Sequence, residues 1–192
     1  MRLRLDLLRH GATERGQGFR GSLDDPLTGI GWQQMEAAVA GAGPWDRIVS
    51  SPLIRCARFA ERLAASAGLP LTYEAQLQEL HFGEWEGRTA LELMADHEAD
   101  LGSFWNDPYA FTPPGGEPVA AFARRVNAAI ARLAAAYAGE RLLLIVHGGV
   151  IKLLMAQARQ LPREQLLQVA VAHGDLLSLC VRDDGSLVEE GG

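Results

Sequence analysis

Leu5-Asp6-Leu7-Leu8-Arg9-His10-Gly11-Ala12-Thr13 is the stretch whose reading decides how this chain folds. Leu3, Leu5, Leu7 and Leu8 form a short apolar run closed by a turn signal, the pattern of a buried strand and too short for a helix. That places Arg9 and His10 at the strand's C-terminal end. In open α/β sheets this edge is the ligand crevice, because strand ends and the N-termini of the following helices meet there.

Two later stretches repeat the arrangement. Arg47-Ile48-Val49-Ser50 reads as a second strand, followed by Ser51-Pro52, in which the serine caps a helix and the proline takes its first position. Leu53, Ala57, Ala60 and Ala64 supply the buried stripe of that helix. Arg55 falls in its first turn, where the helix dipole disfavours a cation by about 0.3–1 kcal/mol; an anion in front of it would explain the choice. RLLLIV (141–146) reads as a fully buried strand ending in His147-Gly148-Gly149, with a helix from Val150-Ile151 and glycines that let a ligand approach the backbone. Strands alternating with helices imply a parallel sheet, so Arg9, His10, Arg55 and His147 are expected on one edge. Two arginines and two histidines without nearby carboxylates suit a dianion such as phosphate. Neither the spacing of His10, His81, His97, His147 and His173 nor the adjacent arginines favours a metal ion.

The remaining stretches frame that edge. A glycine-rich loop over residues 14–31 precedes a helix beginning after Thr28, with Ile30, Met35, Ala38, Val39 and Ala42 on one face. Gly16-Gln17-Gly18-Phe19-Arg20-Gly21 matches a dinucleotide fingerprint formally, but Ser22-Leu23-Asp24-Asp25-Pro26 cannot be the helix such a fingerprint opens. Cys56 and Arg62 have the C-x5-R spacing of cysteine phosphatases, yet lie inside a helix where no phosphate loop can form. Leu71-Thr72-Tyr73 reads as an edge strand. Val119, Phe122, Val126, Ile130, Leu133 and Tyr137 recur at helical spacing. Between them, residues 80–112 hold seven acids and one base, Arg88, together with Phe82, Trp85, Phe104, Trp105, Tyr109 and Phe111. This segment, about 80–117, reads as an acidic, aromatic lid over the crevice.

With 192 residues and 48% hydrophobic content, the chain suits one domain spanning 1–192. A net charge of -6 argues against a general nucleic-acid or anionic-membrane binder. Met1-Arg2-Leu3-Arg4 has no apolar signal core behind it and no run approaches the roughly 20 residues of a membrane span, so a cytoplasmic protein is expected. Cys56 and Cys180 read as buried thiols rather than a disulfide framework.

Arg9-His10-Gly11, Pro26-Leu27-Thr28 with Gly31 and Gln34, Ser51-Pro52 with Arg55, Leu77-x-Glu79 before Phe82-Gly83, Gly116-Glu117 and His147-Gly148 together resemble the histidine phosphatase (phosphoglycerate mutase-like) superfamily. The resemblance implies a three-layer α/β/α sandwich with a mostly parallel central sheet and a small inserted helical lid. It implies a phosphohistidine mechanism in which His10 is the nucleophile, Arg9, Arg55 and His147 clamp the phosphate with Thr13 and Gly148 beside them, and Glu79 donates a proton to the leaving alcohol. The residues alone leave Glu84 and Glu86 open for that last role. Two positions depart from the family pattern: Gly16 replaces a frequent asparagine, and Pro118 replaces the serine usual after Gly-Glu. No cofactor or metal is expected, and the partner is a small-molecule phosphomonoester; monomer and homodimer both stay open. Within the superfamily the short chain, residues 21–28 and the brief lid are most similar to the α-ribazole phosphatases of cobalamin biosynthesis. A phosphoglycerate mutase or broad-specificity phosphatase, and a non-catalytic interaction module, are the alternatives. The acidic lid is expected to disfavour a second anionic group, and its aromatics to favour a flat, weakly charged one.

Overall fold

A computed structural model of the protein describes residues 2–190; positions 1, 191 and 192, inside the expected domain span, lie outside the described residues. The first strand, β1 (Leu3–Arg9), alternates its side chains between two cores. Leu3, Leu5 and Leu7 point into one, while Leu8 points into the other. The fourth strand in chain order, β4 (Arg141–Val146), splits likewise, with Leu142, Leu144 and Val146 on the first face and Leu143 and Ile145 on the second. A strand buried on both faces is what a sheet covered by helices on both sides requires, and each fully buried leucine contributes about 1.5–3 kcal/mol.

Helices α1 (Gly29–Val39) and α2 (Ile54–Ala67) cover one face; α4 (Val119–Ala136) and α5 (Gly148–Ala158) cover the other. Strands β2 (Arg47–Ser50), β3 (Leu71–Tyr73), β5 (Leu176–Val181) and β6 (Leu187–Glu189) complete a six-stranded sheet of order β3-β2-β4-β1-β5-β6. Neighbours from β3 to β1 are parallel, and β5 runs against both β1 and β6. The fold is thus the expected α/β sandwich with a mostly parallel sheet. The remaining helix, α3 (Ala90–Asn106), opens on a capping box between Thr89 and Glu92 and breaks at His97.

Local chemistry departs from the sequence expectation in four places. Thr28 caps α1 as expected, but Ile30 is 66% exposed and Ala42 lies beyond the helix, so only Met35 of the expected stripe is buried. Gly31 takes the buried place instead. A β-carbon there would fall 2.1 Å from the Ala12 carbonyl oxygen, so α1 packs directly on the loop that follows His10. Helix α2 starts at Ile54 rather than at Ser51-Pro52, and its cap position is Leu53. The helix after β4 starts at Gly148, with His147 in the cap position, rather than at Val150. The lid is also less independent than expected: Leu80, Trp85, Leu93, Leu101 and Phe104 belong to the same apolar core as α4 and α5.

Candidate active site

The strand register assembles the site. Arg9 pairs with Val146 and Ser50 with Ile145, so the next residues, His10, His147 and Ser51, emerge side by side from the carboxyl edge. Backbone bonds from His10 to Val146 and from Ser51 to Ile145 extend the ladders into the site. The His10 and His147 rings meet edge-on at 5.3 Å, and His173 stands 5.6 Å from His10 on its other side.

Nδ1 of His10 lies 2.9 Å from the Gly11 carbonyl oxygen. A carbonyl can only accept, so Nδ1 carries the proton and Nε2 keeps an unshared lone pair. Burial, reinforced by the positive charge of Arg55, holds the His10 pKa well below the usual imidazole range. His147 is held down by the same two causes. Its Nδ1 faces Nε–H of Arg55 at 3.3 Å and its Nε2 faces the Ser51 hydroxyl at 2.7 Å. Ser51 therefore serves the site, while its Oγ also accepts a longer bond, 3.4 Å, from the amide of Leu53 at the cap position of α2.

Arg55 is fully buried. It does not bend into water: its terminal nitrogens donate to the carbonyls of Leu23 and Gly21 at 2.7 and 2.9 Å. Arg9 donates to the Val171 carbonyl at 2.6 Å and faces Nε2 of His173 at 3.2 Å, leaving its buried Nε without a partner among the described residues. Neither arginine forms an ion pair among the described residues; their direct partners are carbonyls and rings, and the nearest carboxylates to act on Arg9, Glu79 and Asp175, do so only at a distance. A buried cation left in that state calls for an anion.

Glu79 reaches the same edge from beyond β3. Its Oε2 accepts from the Gly149 amide at 2.8 Å and its Oε1 from the Leu80 amide at 2.9 Å. The two glycines after His147 are the space these side chains need. A β-carbon on Gly149 would sit 2.2 Å from Oε1 of Glu79, and one on Gly148 3.2 Å from Nε of Arg9. Glu84 is exposed, and Glu86 is committed to the amides of Ser22, Leu23 and Phe82 and faces His81, so neither runner-up lines the cavity beside His10.

A cavity of about 560 Å³ opens in front of this edge. Arg9, His10, Glu79, Gly148, Gly149 and His173 form its polar floor, and Phe19, Phe82, Phe104, Trp105 and Phe122 its apolar wall. Arg55 and His147 are not in that lining; they stand immediately behind His10. Thr13 is likewise buried out of the lining, with its hydroxyl unpartnered among the described residues. Gly16 lines the cavity with open space around it, where a larger side chain would reach in. Pro118 sits just before α4 and is not part of the lining.

Sequence reasoning left Arg20, Lys152 and His173 without roles, and all three line the cavity. The spacing could have shown Lys152, which lies one helical turn after Gly148. The lid acids are the clearest correction. None of the seven lines the cavity: Glu84, Glu92, Asp96 and Glu98 face solvent, Asp107 pairs with Arg163, and Asp100 faces His97. The charge argument against a second anionic group therefore fails, because the charges that do line the cavity are mostly positive. Cys56 is a buried thiol that burial pushes up to about 12, as inert as its helical setting implied. Cys180 is also free and buried. Among the described residues no group of three or more His, Cys, Asp or Glu side chains could hold a metal ion, and no helix is long and apolar enough to cross a membrane.

Clustered histidines and arginines gathered at the carboxyl edge of a parallel sheet, without an ion pair to Arg9 or Arg55 among the described residues, mark an α/β protein with a site suited to an anion. The chain belongs to the histidine phosphatase superfamily (branch 1), whose model matches residues 5–190. It is 35% identical to a bifunctional protein of Mycobacterium tuberculosis over 94% of the chain, and spans half the length of that relative. It is 32% identical to the adenosylcobalamin/α-ribazole phosphatase of Salmonella typhimurium, over 90% of this chain and 87% of that one. A solved mycobacterial glucosyl-3-phosphoglycerate phosphatase superposes with a TM-score of 0.85 at 28% identity, covering 99% of this chain and 97% of that one.

Proposed function

We propose that the protein hydrolyses phosphomonoesters through a phosphohistidine intermediate on His10. The observation that carries this reading is the Nε2 lone pair of a buried, neutral His10 in a cavity floored by an arginine whose Nε has no partner among the described residues. In the first step Nε2 forms a bond to phosphorus as the ester P–O bond breaks, and Glu79 gives its proton to the departing oxygen. In the second, Glu79 takes a proton from water, which attacks the phosphohistidine and frees His10. Splitting one displacement into two, with positive groups around the equatorial oxygens, is how such transfers are accelerated. Arg9 acts directly through Nε. Arg55 and His147 complete the clamp from behind His10, Arg55 by its fixed charge and His147 through the ring that Arg55 and Ser51 hold in place. Thr13 and Gly148 are assigned to the phosphate pocket, Gly148 in the cavity lining beside Arg9 and Thr13 buried outside it with its hydroxyl unpartnered among the described residues.

For the organic part of the substrate, the aromatic wall favours a flat, apolar group, and α-ribazole 5'-phosphate fits that description. The superfamily relative from Salmonella supports the same choice. A second reading follows from Arg20 and Lys152, which line the cavity and suit a substrate with a second anionic group, such as a phosphoglycerate derivative. The protein is assigned to the cytoplasm on composition. The test of the core reading is to quench the enzyme in alkali during turnover and map the phosphate. It is expected, acid-labile, on the peptide containing His10 and absent in His10→Ala; phosphate on His147 instead would overturn the assignment.

A further inference from the structure

Arg125 lies on α4, outside the cavity lining, and all five of its guanidinium N–H groups are spent on one short stretch of chain and one carboxylate. Nη1 donates to the carbonyls of Gln76 and Gln78 at 2.7 and 2.8 Å, and Nη2 to the carbonyl of Glu79 at 2.9 Å. The remaining donors form a bidentate pair with Glu117, Nε at 2.8 Å and Nη2 at 2.9 Å. Glu117 in turn holds the other side of the same stretch: its amide donates to the His81 carbonyl at 2.8 Å, and its Oε2 faces the His81 amide at 3.5 Å. Residues 76–81 are thus gripped before and after Glu79. The guanidinium also stacks 4.8 Å above the ring of Phe122, a wall residue of the cavity.

We propose that Arg125, fixed by Glu117, is a positioning residue that sets where the Glu79 carboxyl meets the leaving oxygen. The stretch it holds has only a single helical turn at Ala75–Leu77 and no strand ladder of its own. Without the guanidinium, three carbonyls that now share one rigid fork would need separate partners. A lysine offers three donors without the planar fork and cannot reproduce the bidentate pair. Proton transfer is sensitive to such placement, since a misplacement of about 1 Å can cost about 10²-fold. The inference rests on Glu79 being the proton donor.

A merely structural role and a positioning role differ in leaving-group dependence. Proton donation matters little for 4-nitrophenolate and greatly for an alkoxide, so loss of the acid penalises poor leaving groups selectively. The experiment measures kcat/KM for 4-nitrophenyl phosphate, phenyl phosphate and an alkyl phosphate in Glu79→Gln, Arg125→Lys and Glu117→Gln, with circular dichroism to confirm folding. Arg125→Lys is expected to lose at least about 10²-fold on the alkyl ester and under about threefold on the nitrophenyl ester, and Glu117→Gln to show the same selectivity more mildly. Should Arg125→Lys fold poorly, Glu117→Gln, which keeps the arginine in place, decides. An equal loss on all three esters, or no loss, in the folded variant overturns the positioning role while a selective Glu79→Gln leaves the proton donor standing. A non-selective Glu79→Gln removes the proton donor and this inference with it.

Discussion

The Ser51 hydroxyl oxygen lies 2.7 Å from Nε2 of His147, and neither residue exposes any surface to solvent. Because Arg55 donates to Nδ1, the ring proton of neutral His147 belongs on Nε2 in this state, and Ser51 is its acceptor. Ser51→Ala leaves a buried ring N–H unpaired, which costs about 1–3 kcal/mol. Denaturant unfolding should show that loss, and kcat should fall about tenfold or more as His147 loses the partner that fixes its proton. Unchanged stability and activity would mean that Ser51 fills space only.

Gly149→Ala separates catalysis from folding. The added β-carbon meets Oε1 of Glu79 at 2.2 Å, and the far end of a side chain moves aside more easily than backbone. The melting temperature should therefore stay within a few degrees, while turnover of alkyl phosphates drops by about 10², within the range that general acid–base catalysis supplies. Wild-type turnover in a folded Gly149→Ala would show that the Glu79 carboxyl works elsewhere.

What could be read in the sequence tracks what is local. The apolar runs ending in Arg9-His10 and in His147 specified their strands, the parallel order and the shared edge, because strand period and burial are properties of short segments. Ile30 misled because its place on the helix face is set by how closely Gly31 approaches Ala12, a tertiary contact without a signature in the helix itself. Ser51 satisfies every rule for a helix cap and its hydroxyl does accept from the Leu53 amide, but at 3.4 Å, while the neighbouring strand end, nearly a hundred residues away in sequence, brings His147 to it at 2.7 Å. The lid acids were assigned to the cleft from their density alone, whereas the sign of charge facing a cavity depends on which side of α3 packs inward. Arg125 is one arginine among many until the fold brings residues 76–81 against α4.

The three clustered histidines make stability depend on pH. His10 and His147 are held well below 6.5, and His173 is lowered to about 4 by burial and then by Arg9 and Arg20. In the unfolded chain all three take protons near 6.5. Between that value and about 4 the unfolded state binds more protons, so stability rises with pH there and falls on acidification; above about 7.5 these groups contribute no slope. The denaturation midpoint should drop from pH 7.5 to 5, and less so in His173→Asn. The same neutrality predicts that the acid limb of kcat/KM lies well below 6.5; a limb at 6.5 would mean His10 titrates as a free imidazole.

In the proposed reading phosphate is held by arginine and imidazole, and no cluster of metal ligands is found among the described residues. Hydrolysis is expected to continue unchanged in excess chelator. Loss of activity on chelation, restored by a divalent cation, would show that the positive charge around the transferred phosphoryl group comes from a metal instead.

The organic part of the substrate is decided by which wall of the cavity it uses. Trp105 is 46% exposed at the rim and Phe82 and Phe104 stand behind it, so a flat ring entering the cavity meets aromatic faces. Aromatic pairs of this kind are worth about 0.5–1.5 kcal/mol beyond burial, equivalent to roughly 2- to 13-fold in affinity. Trp105→Ala should therefore raise KM for α-ribazole 5'-phosphate several-fold and leave that for 3-phosphoglycerate nearly unchanged. Arg20→Gln should do little to the ribazole ester, since only the phosphate of that substrate is anionic. The opposite pattern is equally clear: Arg20 lines the cavity, and among the described residues it forms an ion pair with Asp25, at 3.2 Å. If Arg20→Gln weakens phosphoglycerate esters about tenfold and these are the better substrates, the enzyme recognises a second anion. Release of inorganic phosphate, rather than interconversion of phosphoglycerate isomers, is expected with either substrate. Efficient isomer exchange with little phosphate released would make the protein a mutase built on the same His10 chemistry.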